Sequence, residues 1–380
     1  MKFPQFVEYE EVNNGEFIVL NKLNYKRIKI GKAELEFLAN IINKNETNIE
    51  SQLSEKQQKF LRQQFERLGF IGDRKDIKEN KSFDISRIKL IGFNPSKILD
   101  SLSNIITFLC NPYLVVLMLI FCLIPYFALN HIDKDWVYPF LNIKFNLSTI
   151  FLLYFLIIMT LFFHELGHAV SCYYFKGKVR KIGIMLLYFQ PALYCDISSI
   201  YNFKSTKSKI IVTCAGLYVQ FILSSISLYI YILLKIAFHI QSTLLIYYSV
   251  ANLTLIILNI IPFIKLDGYW LLSHLLNVTN LRDKSFLYLF SILLSKYKPL
   301  NKRFTKKEKI IFKIYGPLAI LFTAYLWVSI IIRLYKFVWN YNISLGIGAL
   351  IILFGLVSIQ FINFIRNSTK NLDEYYQLVK

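Results

Sequence analysis

Phe162-Phe163-His164-Glu165-Leu166-Gly167-His168-Ala169-Val170 closes an apolar run that begins near Leu147. A helix needs about 20 apolar residues to cross a bilayer, and this run supplies them. On a helix, residues four apart differ by about 40° and one turn, so His164 and His168 point the same way. Two imidazoles on one face can hold a zinc ion at about 2.0–2.1 Å, and Glu165 stands beside them to handle a proton. Two histidines and a glutamate are expensive in hydrocarbon, so a cluster there is a functional hypothesis by default. Chance and a buried structural His–Glu pair are the competing explanations. With five His in 380 residues, an accidental His-Glu-x-x-His arises at roughly a few in a thousand. The reading adopted is a metal site.

The composition agrees with a membrane setting. The chain is 55% hydrophobic and 16% aromatic, with positive mean hydropathy, which is too apolar for an ordinary soluble protein. A formal charge of +20 raises the question of nucleic acid. The Lys and Arg residues lie mainly in loops between apolar runs, however, as membrane topology requires, so no nucleic-acid partner is expected. Met1-Lys2-Phe3-Pro4-Gln5 is not followed by an apolar stretch, and no cleaved signal peptide is expected. Cys110, Cys122, Cys172, Cys195 and Cys214 form no C-x-x-C pair and read as small hydrophobes.

Residues 1–75 read as a small α+β unit. Phe6–Val12, Glu16–Asn21 and Tyr25–Ile30 are strand-like, with Asn13-Asn14-Gly15 as a turn; Ala33–Ile42 and Ser54–Leu68 are helical, the second stopping at Gly69. Three strands followed by helices suggest a winged-helix-like domain. Residues 76–107 read as a charged linker and an amphipathic interfacial helix over Ser96–Leu109. Six apolar runs follow, at about 108–129, 147–173, 210–233, 243–264, 310–332 and 344–365.

Basic residues orient these spans. The loop after the second run holds Lys176, Lys178, Arg180, Lys181, Lys204, Lys207 and Lys209, and residues 265–309 hold ten more; the three intervening loops hold far fewer. By the positive-inside rule both termini are cytoplasmic, in a multi-pass protein of the cell membrane. The fold class expected is therefore a polytopic α-helical membrane protein of about six transmembrane helices, with a small N-terminal α+β winged-helix-like cytoplasmic domain. Residues 108–290 form its core, and 291–380 carry the last two helices.

A catalytic zinc takes three protein ligands and one open position. The best source of the third is Asn259-Ile260-Ile261-Pro262-Phe263-Ile264-Lys265-Leu266-Asp267-Gly268. Pro262 removes a helical hydrogen bond and Gly268 permits unusual backbone angles, so the fourth span should end or break here. The second and fourth spans run the same way, which brings Asp267 to the depth of His164 and His168. The competing role for Asp267 is a cap on a following helix, 268–276.

His164-Glu165-Leu166-Gly167-His168 and Leu266-Asp267-Gly268, with Asn259 and Pro262 ahead of the second motif, resemble the site-2 proteases, a family of intramembrane zinc metallopeptidases. Pro191–Asp196 and Asn280–Ser285 look like the bacterial peptide-maturation branch of that family. The strand-then-helix order of residues 1–75 is similar to PqqD-like domains, which bind leader peptides by adding a strand to a sheet edge; Tyr25–Ile30 is the edge expected here. The resemblance covers about residues 90–290 well, the N-terminus more loosely, and the last two spans in hydropathy alone. Two positions depart from the family. The third-helix Gly-Pro followed by Asn is Ala215-Gly216-Leu217-Tyr218-Val219-Gln220, and a proline expected before Leu266 is Lys265.

The resemblance implies one zinc ion on His164, His168 and Asp267, with Glu165 as general base and then acid. It also implies a substrate or oxyanion contact from Asn259, whose competing role is a buried amide serving broken backbone near Pro262. His₂Asp ligation suits other divalent metals too. Ile182–Asp196 is too short for a span and reads either as a hairpin accepting an extended substrate or as packing between spans. His131, His239 and His274 are expected to do nothing catalytic, and Asp196 to be structural. The expected function is an intramembrane zinc endopeptidase acting on a membrane-associated or leader-bearing exported peptide, with a peptide exporter or a modifying enzyme as further partners. The alternatives are an intramembrane protease that releases a membrane-tethered regulator, and a non-proteolytic peptide-binding or immunity protein of the membrane.

Overall fold

Three N-terminal segments pair as antiparallel strands, β1 Val7–Asn13, β2 Glu16–Asn21 and β3 Arg27–Gly31, in the order β1-β2-β3. Alternation explains them: Val7, Val19 and Ile30 turn to one face and are buried. Helices α1 Lys32–Ile42 and α2 Glu55–Arg67 supply Leu35, Phe37, Leu38 and Phe65 to the same core. A capping box, Ser54 with Gln57, starts α2. After it ends, the Gly69 carbonyl accepts from the buried Asn21 amide at 2.6 Å. The expected strands and helices lie within about two residues of these bounds, and β3 is an edge of its sheet.

This computed structural model describes residues 6–13, 15–21, 27–42, 53–71, 87–132, 146–187, 190–293 and 304–339, with isolated positions besides. The chain divides into two units, Asn80–Pro262 with Leu266–Leu275, and Met1–Glu79 with Phe263–Lys265 and Leu276–Lys380.

The first of these units is mostly helical. After α3 Ser96–Ser101 and α4 Ser103–Leu109 come α5 Pro112–Ile132, α6 Leu147–Tyr174, α7 Thr206–Phe238, α8 Thr243–Ile260 and the short α9 Asp267–Leu276. The expected interfacial helix is thus two short helices divided at Leu102. Ile98, Ile105 and Phe108 stay exposed while Leu99 and Ile106 are buried, so the two-faced character holds. Helix α7 is central: it packs on α5, α6 and α8, and α6 also packs on α8. Its buried face is rich in small and polar residues, which let membrane helices approach closely and bond to one another. Ser224 Oγ lies 2.8 Å from Ser249 Oγ, Ser225 donates to the Cys122 carbonyl, and Ser227 to the Leu245 carbonyl. The outer faces are the reverse: Phe127, Phe151, Phe155 and Ile257 are apolar and exposed, as lipid contact demands.

The other unit also holds α10 Leu281–Leu293 and α11 Lys306–Trp339, which pack on each other. Phe263 stacks near Tyr315 and Phe322, and Lys265 pairs with Asp283 at 3.1 Å.

Five helices among the described residues are long and apolar enough to cross a membrane: α5, α6, α7, α8 and the Lys306–Leu326 part of α11. The protein is therefore a mostly helical, polytopic membrane protein with a small N-terminal strand region. The sixth expected run, 344–365, lies outside the described residues apart from two glycines. Helix α7 overshoots its expected span at both ends, because Lys207, Lys209 and Lys235 can extend their heads to water while their stems remain on apolar surface.

One strand went unforeseen. Arg87–Phe93, placed by sequence in the linker and interfacial region, is β4; it pairs with β5 Ile182–Leu187, which pairs with β6 Gln190–Cys195. The hairpin expected between 182 and 196 is therefore two strands of a three-stranded antiparallel sheet, with β6 at one edge.

Candidate metal centre

Helix α6 carries His164 and His168 one turn apart, and both are 5% exposed. The fourth apolar helix, α8, stops at Ile260 and α9 starts at Asp267, so the chain breaks around Pro262 as its missing N–H requires. The break aims Asp267 at the two imidazoles. Its Oδ2 lies 3.0 Å from His164 Nε2 and 3.4 Å from His168 Nε2, and the two Nε2 atoms are 3.1 Å apart. Ligand atoms about 2.0–2.1 Å from a tetrahedral ion stand about 3.3–3.4 Å from each other, so this triangle has nearly the edge lengths such an ion needs.

The protonation pattern points the same way. His168 Nδ1 lies 2.8 Å from the Val212 carbonyl of α7. A carbonyl only accepts, so Nδ1 carries a proton, and in the neutral tautomer Nε2 presents a lone pair. That lone pair faces a second imidazole nitrogen and a carboxylate oxygen. Lone pairs converging at about 3 Å repel unless a cation lies among them. The three residues are thus a set that can hold a metal ion.

Two glycines make the convergence sterically possible. A Cβ on Gly216 would stand 2.5 Å from the His164 ring, so α7 can approach this imidazole only with no side chain there. A Cβ on Gly268 would overlap the Ile260 carbonyl, so glycine after Asp267 lets α9 begin directly against the end of α8.

Glu165 lies within electrostatic reach of His164, His168 and Asp267, and its carboxylate accepts the backbone N–H of Cys195 at the end of β6. The ladder between Lys181 and Asp196 fixes the orientation of that strand: Asp196 N donates to the Lys181 carbonyl, and Arg180 N to the Asp196 carbonyl. Since backbone groups alternate in direction along a strand, Asp196 turns toward β5, whereas Cys195 and Leu193 turn to the edge facing Glu165. Burial and the Glu165 charge push the Cys195 thiol well above its ordinary range.

The remaining expectations sort as follows. Asp196 Oδ1 accepts the Ser198 N–H at 3.2 Å. Asp267 heads α9, so its capping position and its place beside the histidines coexist. His274 is buried against Tyr201, and burial together with Lys209 lowers its pKa to about 4. Asn259 is half-buried, with its backbone carbonyl close to Gly268. Sequence reasoning missed the Val212 carbonyl and the Cys195 N–H, since backbone partners leave no trace in residue identity. It noted Ala215-Gly216 only as a departure from a motif, although the small pair was a visible sign of close helix approach. No protein-family model, no curated protein and no solved structure matches the chain.

Proposed function

We propose that the protein is an intramembrane metalloendopeptidase of site-2 protease type, with zinc as the expected ion. One observation carries this reading: two imidazole nitrogens and a carboxylate oxygen converge at 3.0–3.4 Å beside Glu165, on helices apolar enough to cross a membrane. Bound there, a zinc ion would polarise a carbonyl and lower the pKa of water toward about 7.

The chain's own residues supply the rest. Glu165 takes a proton from the attacking water as the C–O bond forms. It returns that proton to the leaving amine as the C–N bond breaks. The Cys195 N–H helps hold the carboxylate in place. A transmembrane substrate hides its amides in helical bonds and must become extended to be cut. The Leu193 N–H and C=O, on the β6 edge facing Glu165, offer replacement partners to such an extended segment. Asn259, at the end of α8, is a further candidate substrate contact. Edge strand β3 suits a leader-bearing peptide in the same way, which favours maturation of an exported peptide over release of a tethered regulator. In this reading both termini are cytoplasmic, and an exporter or a modifying enzyme would act on the same peptide.

Mass spectrometry of a precursor peptide co-expressed with the wild-type chain or with Glu165→Gln tests the proposal. Cleavage with wild type alone is the expected result. Equal cleavage in both would remove Glu165 from the mechanism. An intact peptide in both, across the co-encoded precursors, would favour a binding protein instead.

A further inference from the structure

Gln220 differs from every other polar residue on the buried face of α7. Thr213, Ser224, Ser225 and Ser227 all reach a partner. Gln220 is fully buried, and neither its Nε2 nor its Oε1 has a hydrogen-bond partner. Asn252 of α8 is equally buried; its Nδ2 donates to the Tyr248 carbonyl, but its Oδ1 has no partner. His164 Nδ1 is a fourth such atom. Unpaired buried polar atoms are rare because each forfeits its hydration with nothing in return.

Helix register brings the four together. His168 meets Val212 and His164 meets Gly216, so α6 and α7 run antiparallel. One turn further along each helix come Thr160 and Gln220. Ser224 meets Ser249 and Ser227 meets Leu245, so α8 also runs antiparallel to α7 and brings Asn252 to the level of Gln220. Thr160 Oγ1 and Tyr248 Oη, 2.6 Å apart, belong to the same layer. This layer lies one turn, about 6 Å, beyond His164. That is a span which one water with hydrogen bonds of about 2.8 Å on either side can bridge. A buried water takes two to four polar partners, and the four atoms supply them.

We propose that Gln220 and Asn252 hold internal water against the His164 imidazole, making Gln220 a positioning residue for that ligand. The proposal rests on the metal-centre reading. His168 has its outer nitrogen fixed directly by the Val212 carbonyl, whereas His164 receives the equivalent support through water. Such outer partners set the tautomer and the ring orientation of a ligating histidine. Position 220 is then amide-bearing for a reason that helix packing alone would not supply.

The test uses the full-length chain in detergent, titrated with cobalt(II) by visible absorption and in competition with zinc. Gln220→Leu should bind cobalt 10–100-fold more weakly than wild type with a changed absorption band, and Gln220→Asn should recover most of the loss. Wild-type affinity in Gln220→Leu would overturn the proposal. A wild-type chain that binds no cobalt or zinc would instead overturn the metal-centre reading. If the variants do not fold, hydroxyl-radical footprinting of the wild-type chain decides: held water should label Tyr248, while Tyr231, in an apolar cluster, stays silent. Equal silence at both tyrosines would overturn the proposal.

Discussion

Replacing Gly216 by alanine adds one carbon at the point where α7 meets the first ligand. That carbon would sit 2.5 Å from His164 Nε2 and Cε1 and 2.7 Å from Nδ1. Ordinary contact between such atoms is about 3.5 Å or more, so the ring or the helix must give by about 1 Å. Metal sites tolerate about 0.2 Å in ligand distance. The helix has little room to retreat, because the Val212 carbonyl one turn away is held 2.8 Å from His168. The ring therefore moves, and Nε2 leaves the 3.0–3.4 Å triangle. Loss of one ligand in three should weaken metal binding about 100-fold or more, which is about 2.7 kcal/mol. Overpacking can also cost about 1–3 kcal/mol of stability. Chelator competition on the purified full-length variant reads the first effect, and thermal unfolding with and without metal reads the second. Wild-type metal affinity together with a wild-type melting profile would refute the steric reasoning, since no other accommodation leaves both unchanged.

Glu165→Gln should keep metal affinity within a few-fold while cutting turnover about 10²–10⁴-fold; equal losses in both would make Glu165 a structural partner of the ligands. Phe65, fully buried in the N-terminal core, should cost about 3–5 kcal/mol when changed to alanine. Hydrogen exchange should show faster opening of β1–β3, α1 and α2, and unchanged protection there would contradict the assigned core. His274 is held near pKa 4 against an ordinary 6.5. A lowered histidine pKa means that the unfolded form binds more protons, so the neutral ring stabilises its surroundings fully above about pH 6.5, and that contribution is lost as pH falls toward 4. Exchange in α9 should therefore quicken with acid more in wild type than in His274→Gln; identical pH profiles would count against it.

The grouping of His164, His168 and Asp267 was legible because it depends on residue type and spacing. His164 and His168 are one turn apart on any helix, and Pro262 forces a break wherever it falls in one. The N-terminal strands and helices were legible through alternation and capping. Strand β4 was not, although Arg87-Ile88-Lys89 alternates: its pairing partners in β5 lie 89 to 100 residues away, and the charged segment before it resembled a linker. In sequence Gln220 was the last residue of the stretch Ala215–Gln220 and carried no role of its own; its place one turn from His164 depends on the antiparallel register of α6 and α7. The carbonyl that orients His168 belongs to a valine, whose side chain predicts nothing about it.

That carbonyl has a second duty. In the α7 helix the Val212 oxygen is also the acceptor for the Gly216 N–H, four residues on. One peptide unit thus orients His168 and, through Gly216, sets the clearance around His164. The two imidazoles cannot adjust separately; they shift as a pair whenever α6 and α7 slide or tilt. On the proposed reading of the site, affinity for an ion would then vary with helix tilt, and so with the thickness of the surrounding lipid. Proteoliposomes of graded acyl-chain length would reveal this as a graded metal affinity, and a flat series would show the pair to be mechanically uncoupled.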